Sequence, residues 1–152
     1  MSFVLDASAT MAWCFDDERT EQTDALLVTV STSSAHVPAL WVLEVANILR
    51  AAHRRKRIDE SHIRACHAML APLSLHIDRQ PAPPTRAGWT RYVRKIDSLS
   101  LQHNLSAYDA TYLELATRLH LPLATLDRDL AAAAAKTGVS LVLKLPNSRQ
   151  HP

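Results

Sequence analysis

Four acidic side chains stand where packing gives a carboxylate little reason to be. Asp6 comes directly after the strand-like run Phe3–Leu5, in "VLDASAT". Glu44 interrupts the apolar stretch "LWVLEVANIL", Asp109 lies in "LSAYDATYLELA", and Asp127 follows a short apolar strand in "LPLATLDRDL". Gathered into one pocket without a cation, such groups repel and raise one another's pKa values. Oxygen-rich carboxylate clusters are what Mg²⁺ or Mn²⁺ take as ligands. One or two such ions activate a water and neutralise charge developing on a phosphate during in-line displacement. The chemistry open to the set is therefore that of a nuclease. Ser8 and Thr125 stand beside the first and last acids and can add hydroxyls to the shell.

Taken singly, each acid also has an ordinary structural role. Asp6 and Asp127 can cap the helices that follow them, and Ser106 with Asp109 matches a capping box. Glu44 sits at the edge of the stripe Trp41, Val45 and Ile48, from which a long side chain can reach water. Asn47 shares that edge. Asp129 can favour the start of its helix through the dipole. The set becomes more than four caps only if the fold brings its members to one place.

The chain pattern supplies such a fold. Strand-like runs at Phe3–Leu5, Ala35–Val37, Leu73–Ile77, Leu123–Thr125 and Ser140–Leu143 alternate with helical periodicity. One helix is expected to start at Met11–Phe15, others to cover Arg19–Val30, Ala39–His53 (with Pro38 near its start), a segment capped by Asp59, Trp89–Leu101, Ser106–Leu119 and Leu130–Lys136. The breaker-rich "RQPAPPTRAG", Arg79–Gly88, reads as a loop, and Gly138 closes the last helix. Alternation of this kind argues an α/β fold with a parallel sheet and helices on both faces. Asp6 and Asp127 then follow strands at the same end of the sheet, and Glu44 and Asp109 lie near helix starts at that end. We expect one domain over 1–145 and a loose tail over 146–152.

Composition narrows the alternatives. A chain of 152 residues, 47% hydrophobic and 21% charged, suits one globular domain. Its two glycines leave no Gly-rich phosphate loop. Cys14 and Cys66 are far apart in sequence and argue against a disulfide framework or a thiolate zinc site. The eight histidines form no His-Glu-x-x-His pattern. No apolar run approaches the ~18 residues of a membrane span, and a cytoplasmic protein is expected.

The segments "VLDASATMAWCFDDE", "PALWVLEVANIL", "LSAYDATYLELA" and "LPLATLDRDL", in this order, resemble the PIN-domain family, and more narrowly the VapC-type toxins of bacterial toxin–antitoxin pairs. The resemblance covers almost the whole chain. It implies a three-layer α/β/α fold and a metal-dependent endoribonuclease. Asp6, Glu44, Asp109 and Asp127 would be the catalytic, metal-holding acids, with Ser8, Thr125 and Asn47 as accessories. It further implies a homodimer, an RNA substrate and a VapB-type antitoxin whose tail blocks the acidic pocket.

Basic residues mark where a nucleic acid could lie. Arg54, Arg55, Lys56 and Arg57 follow the Glu44 helix, where they can contact phosphates or simply favour a helix C-terminus. Arg86, Arg91, Arg94 and Lys95 interleave with Trp89 and Tyr92; core packing is the expectation for Trp89. Either cluster could instead meet an acidic antitoxin. Two rival readings remain at this level. One is a non-catalytic PIN-like binding module; the other is a receiver-like phosphoacceptor domain, with Lys144 as its late lysine. A haloacid-dehalogenase-like phosphatase needs a second acid two residues after Asp6, where this chain has Ser8.

Overall fold

The structure of the protein is a computed structural model, and it describes residues 1–79 and 85–145. Four short strands build the sheet: β1 (Phe3–Leu5), β2 (Ala35–Pro38), β3 (Leu75–Asp78) and β4 (Leu123–Ala124). Their order is β3-β2-β1-β4 and every pairing is parallel. β1 is wholly buried, as a central strand covered on both faces must be. Among the described residues, seven α-helices connect and flank the strands: α1 (Ala7–Met11), α2 (Glu21–Thr32), α3 (Leu40–Arg54), α4 (Glu60–Leu70), α5 (Arg86–His103), α6 (Ala107–Leu119) and α7 (Arg128–Lys136).

Connection chirality distributes these helices. The chain steps from β1 to β2 to β3 in one direction, then returns across β1 to β4. Right-handed crossovers therefore place α1–α4 on one face and α5–α6 on the other. The packing agrees: α1 lies against α3, while α6 lies against β1, β2 and β4 and is flanked by α5 and α7. This is the α/β/α sandwich expected from the chain pattern. β1 and β4 are the adjacent strands at which the order reverses, and their following helices leave to opposite faces. In an open α/β sheet the crevice beyond such a switch point is where ligands bind.

Several helix ends follow the sequence signals. Asp59 caps α4 by accepting from the His62 N–H at 2.8 Å. Gly138 has φ +77°, a left-handed conformation that a side chain disfavours, and it lies just past α7.

Three expectations need correction. The first helix does not start at Met11–Phe15; it ends there. α1 begins at Ala7, and tight turns from Trp13 N–H to Thr10 O (3.1 Å) and Cys14 N–H to Met11 O (2.9 Å) close it. Trp13, Cys14 and Phe15, beyond the end of α1, are all buried. The run Ser140–Leu143 pairs only as a single bridge between Leu141 and Leu123, because β4 offers just two residues before its chain turns away to cap α7. Trp89, expected in the core, is 57% exposed on α5. The tail 146–152 and the centre of the Arg79–Gly88 loop lie outside the described residues.

Trp13, Phe15 and Leu26 belong to the core. Cys14 and Cys66 are free thiols, both buried, and the Cys66 thiol points to the Cys14 carbonyl at 3.9 Å. No helix among the described residues is long and apolar enough to cross a membrane.

Candidate active site

The switch-point crevice is where Asp6 and Asp127 sit. Asp6 stands between β1 and α1 with extended backbone (φ −81°, ψ 152°), yet its carboxylate caps nothing in α1. It turns instead to side chains: Ser8 donates to its Oδ2 at 2.5 Å and Thr125 donates to the same oxygen at 2.7 Å. The side chain is 4% exposed. Burial raises its pKa, the two hydroxyl donors work against that rise, and the charge of Asp109 adds to it. A carboxylate so placed is oriented by its neighbours and short of a cation.

Those hydroxyls also bind the two halves of the crevice together. Ser8 Oγ accepts from the Leu126 N–H at 2.9 Å, and Thr125 Oγ1 accepts from the Asp127 N–H at 3.0 Å. The β1 and β4 ends are thus joined beyond the sheet ladder by the small residues of "DAS" and "TLD". Asp127 does cap its helix, accepting from the Leu130 N–H at 2.7 Å through Oδ1. That bond uses one carboxylate oxygen.

Glu44 reaches the same edge from α3. The stripe of Trp41, Val45 and Leu49 is buried, and Glu44 lies half-buried on its margin. Its Oε2 accepts from the hydroxyl of Tyr112, a residue of α6 with no exposed surface. Burial raises the Glu44 pKa, the Tyr112 bond lowers it, and the charges of Asp6 and Asp109 raise it further. Asp109, half-buried at the start of α6, forms the expected capping box: its N–H donates to Ser106 Oγ at 3.1 Å and Ser106 donates back to its carboxylate at 2.6 Å. Its pKa is raised by burial first, then by the charges of Asp127 and Asp129.

All four acids therefore occupy the carboxyl edge and Asp6, Glu44 and Asp109 sense one another's charge. Among the described residues, no three acid, His or Cys side chains close on a single point as they stand. Glu44 and Asp109 are held by Tyr112 and Ser106 instead. The donors fit a hard divalent cation by type, being carboxylate and hydroxyl oxygens throughout. The bonds from Tyr112 and Ser106 each engage one carboxylate oxygen, Glu44 Oε2 and Asp109 Oδ2. Asn47, one turn beyond Glu44, is exposed and has no side-chain hydrogen bond among the described residues. Asp129 is exposed at the start of α7.

Two residues escaped the sequence reading. Tyr112 lies three positions after Asp109, so its helical spacing placed it on the same side, but its partner is 68 residues away. Thr10 donates to the Asp6 carbonyl at 3.1 Å and accepts from the Trp41 indole N–H at 3.0 Å, tying the first acid's backbone to the helix of the second.

The first basic cluster lies elsewhere. α3 runs away from the carboxyl edge, and the ten residues from Glu44 to Arg54 span about 15 Å of helix. Arg57 is committed within the molecule: it donates to Asp17 at 2.7 Å and Glu18 at 2.8 Å, and its guanidinium covers the Phe15 ring at 3.8 Å. Arg54, Arg55 and Lys56 are exposed. On α5, Arg86, Arg91 and Arg94 surround an open recess, while Lys95 pairs with the buried Glu114 at 2.9 Å.

Comparison with known proteins matches this architecture. The chain is 29% identical over 135 residues to "Ribonuclease VapC3" of Pyrobaculum aerophilum, covering 86% of this chain and 93% of that protein. It is 38% identical over 102 residues to "Ribonuclease VapC1" of Mycobacterium tuberculosis, covering 66% and 68%. A crystal structure of PAE2754 from Pyrobaculum aerophilum superposes with a TM-score of 0.61 at 23% identity, over 88% of this chain and 87% of that one, which shows the shared fold. The PIN-domain family model matches residues 3–136, all four acids included, and the chain belongs to that family.

Proposed function

We propose that this chain is a metal-dependent endoribonuclease and the toxin of a toxin–antitoxin pair. The observation that carries the reading is Asp6: a buried carboxylate at the sheet's switch point, held by Ser8 and Thr125 and electrically coupled to Asp109. The names of the relatives support the ribonuclease class. Asp6, Glu44, Asp109 and Asp127 are the residues that would hold Mg²⁺ or Mn²⁺. Such an ion, when bound, lowers the pKa of water and offsets charge developing on the phosphate.

The protein's own part is orientation and charge. Ser8 and Thr125 fix the direction of the Asp6 carboxylate, as partners behind a ligand do in metal sites. Tyr112 sets the position of Glu44. Burial keeps the site from being screened by water, so its negative charge draws a cation strongly. An RNA strand is the substrate, and the exposed cations Arg54, Arg55 and Lys56 are its candidate phosphate contacts. Homodimerisation, a VapB-type antitoxin and a cytoplasmic setting complete the reading. Membership of the PIN family removes the phosphoacceptor alternative, in which Lys144 had a role.

The test is cleavage of mixed cellular RNA by the purified, antitoxin-free chain, with Mn²⁺, with Mg²⁺ and with chelator, beside Asp6→Asn. Discrete fragments that need metal and vanish in the variant are expected. A folded chain that binds metal and cleaves no RNA would favour the binding-module reading instead.

A further inference from the structure

The carboxyl edge carries a second recess next to the acids. Pro38 ends β2 and pairs in register with Asp78 at the end of β3. Val4 pairs with His36, so carrying that register two residues onward sets Asp6 level with Pro38. A cavity of about 210 Å³ opens at this level, walled by Leu40, Leu115 and Tyr92 and edged by Thr111, Asp78 and Glu114. Leu40 lies one turn before Glu44 on α3, and Thr111 and Leu115 flank Tyr112 on α6. The cavity and the acids thus share the same two helices and the same sheet edge.

Its polar wall has acceptor capacity to spare. Glu114 is 1% exposed; its Oε1 accepts from Lys95 at 2.9 Å and Arg118 Nε at 3.0 Å, while Oε2 has only a longer contact to Arg118 Nε at 3.3 Å. Asp78 gives Oδ2 to Arg118, and its Oδ1 has no donor among the described residues. Two carboxylates face two cations here, so the pocket does not repel a polyanion. Its volume falls below the roughly 300–1,000 Å³ of sites for drug-sized ligands and suits one planar ring system. Proteins that read single-stranded RNA splay a base out, stack it on an aromatic ring and bond its edge.

We propose that this cavity receives a nucleobase adjoining the scissile phosphate of single-stranded RNA, and favours a base with an exocyclic amino group over uracil. The proposal rests on the ribonuclease reading. An amino group donates to Asp78 Oδ1, and to Glu114 Oε2 beside its long contact from Arg118, with Tyr92 against the ring. Uracil has no exocyclic amino group; its single N3–H donor is flanked by two carbonyl oxygens, and whichever of these turns toward a carboxylate is left an unpaired buried acceptor, which is costly.

Two measurements separate the pocket from the nuclease. The first is an amide NMR titration of the metal-free chain with adenosine, cytidine, guanosine and uridine 5′-monophosphates. Shifts at Thr111, Glu114 and Leu115 are expected with the first three nucleotides, with affinity for the uridine nucleotide lower by about tenfold or more. Tyr92→Leu should weaken all four, and Asp78→Asn, which presents a donor, should move preference toward uridine. The second maps cut positions in an oligoribonucleotide randomised around the cleavage site. No shift at those amides, or equal response to all four nucleotides in wild type and both variants, overturns the pocket even if RNA is cleaved. Selective shifts in a chain that cleaves no RNA sustain the pocket and overturn the nuclease reading.

Discussion

The hydroxyl of Tyr112, buried in α6, donates to the carboxylate of Glu44 on α3, joining the two faces of the sandwich across the end of the sheet. The bond holds a negatively charged group near Asp6 and Asp109 that would otherwise turn to water. It also explains why an interior helix position carries a phenol rather than a phenyl ring.

Tyr112→Phe keeps the ring and removes only that donor. Because a hydrogen bond to a charged group contributes about 1.5–3 kcal/mol and Glu44 is half-buried, a loss of about 1 kcal/mol is expected on denaturant unfolding. RNA cleavage should fall by about 10–100-fold, the range for groups that orient metal ligands. An unchanged cleavage rate would leave Tyr112 a core residue alone.

Asp6→Asn separates the site from the fold. Burial raises the Asp6 pKa above its ordinary 3.8, so the folded state binds the proton more tightly than the unfolded one. Stability from this group is present at low pH and lost as pH rises from that ordinary value through the raised one. The metal-free wild type should therefore lose thermal stability over that rise, and Asp6→Asn should lose less. Adding Mn²⁺ at 100 times its Kd should stabilise the wild type by about 2.7 kcal/mol and the variant hardly at all. Calorimetry with and without chelator reads both effects.

Glu114→Ala removes the centre of an ion network. The carboxylate is buried and serves Lys95 and Arg118, whose side chains are 50% and 32% exposed. Breaking a fully buried pair costs about 3–5 kcal/mol. The exposure of both cations lowers the expectation to about 2 kcal/mol, because water takes over part of the pairing. Denaturant melts should show the loss, and Glu114→Gln should restore part of it. A neutral effect would mean the network is already solvated.

His36 gives a pH dependence away from the acids. It stacks on His76, its register partner on β3, with ring centroids 5.0 Å apart. Burial lowers its pKa below the ordinary 6.5, the neighbouring His76 lowers it further, and Asp78 partly opposes this. The unfolded chain then binds more protons in that range, so the group's contribution is full above pH 6.5 and is lost as pH falls through the depressed value. Thermal melts between about pH 7 and 5 should fall less steeply for His36→Asn than for the wild type. Parallel slopes would count against the stacked pair as a pH-sensitive element.

Local signals were enough for much of the architecture. The Ser106–Asp109 capping box and the Asp59 cap are relations among residues a few positions apart, and both stand in the fold as their spacing indicates. The stripe expected as Trp41, Val45 and Ile48 is buried at Trp41, Val45 and Leu49, with Ile48 only partly covered. The four acids were visible because charge interrupts apolar runs. The exposure of Trp89 is not legible locally, because an aromatic residue in a helical pattern gives no sign of which face the neighbouring layer will leave bare. The start of the first helix is not legible locally: "MAWCF" has the hydrophobicity of a helix face, but it holds the last residue of α1 and the buried turn that follows.

Residue type and periodicity by themselves determined a parallel α/β chain and the acids that a cation would need, since both follow from local propensity and from the cost of placing charge beside apolar runs. Tertiary structure alone decided that Asp6 is held by Thr125, that Glu44 meets Tyr112, and that Arg57 pairs with Asp17 and Glu18 at the surface. Those pairings span 119, 68 and about 40 residues of chain. The order of the strands creates them: only when β4 comes to lie beside β1 do two turns from opposite ends of the sequence share one crevice.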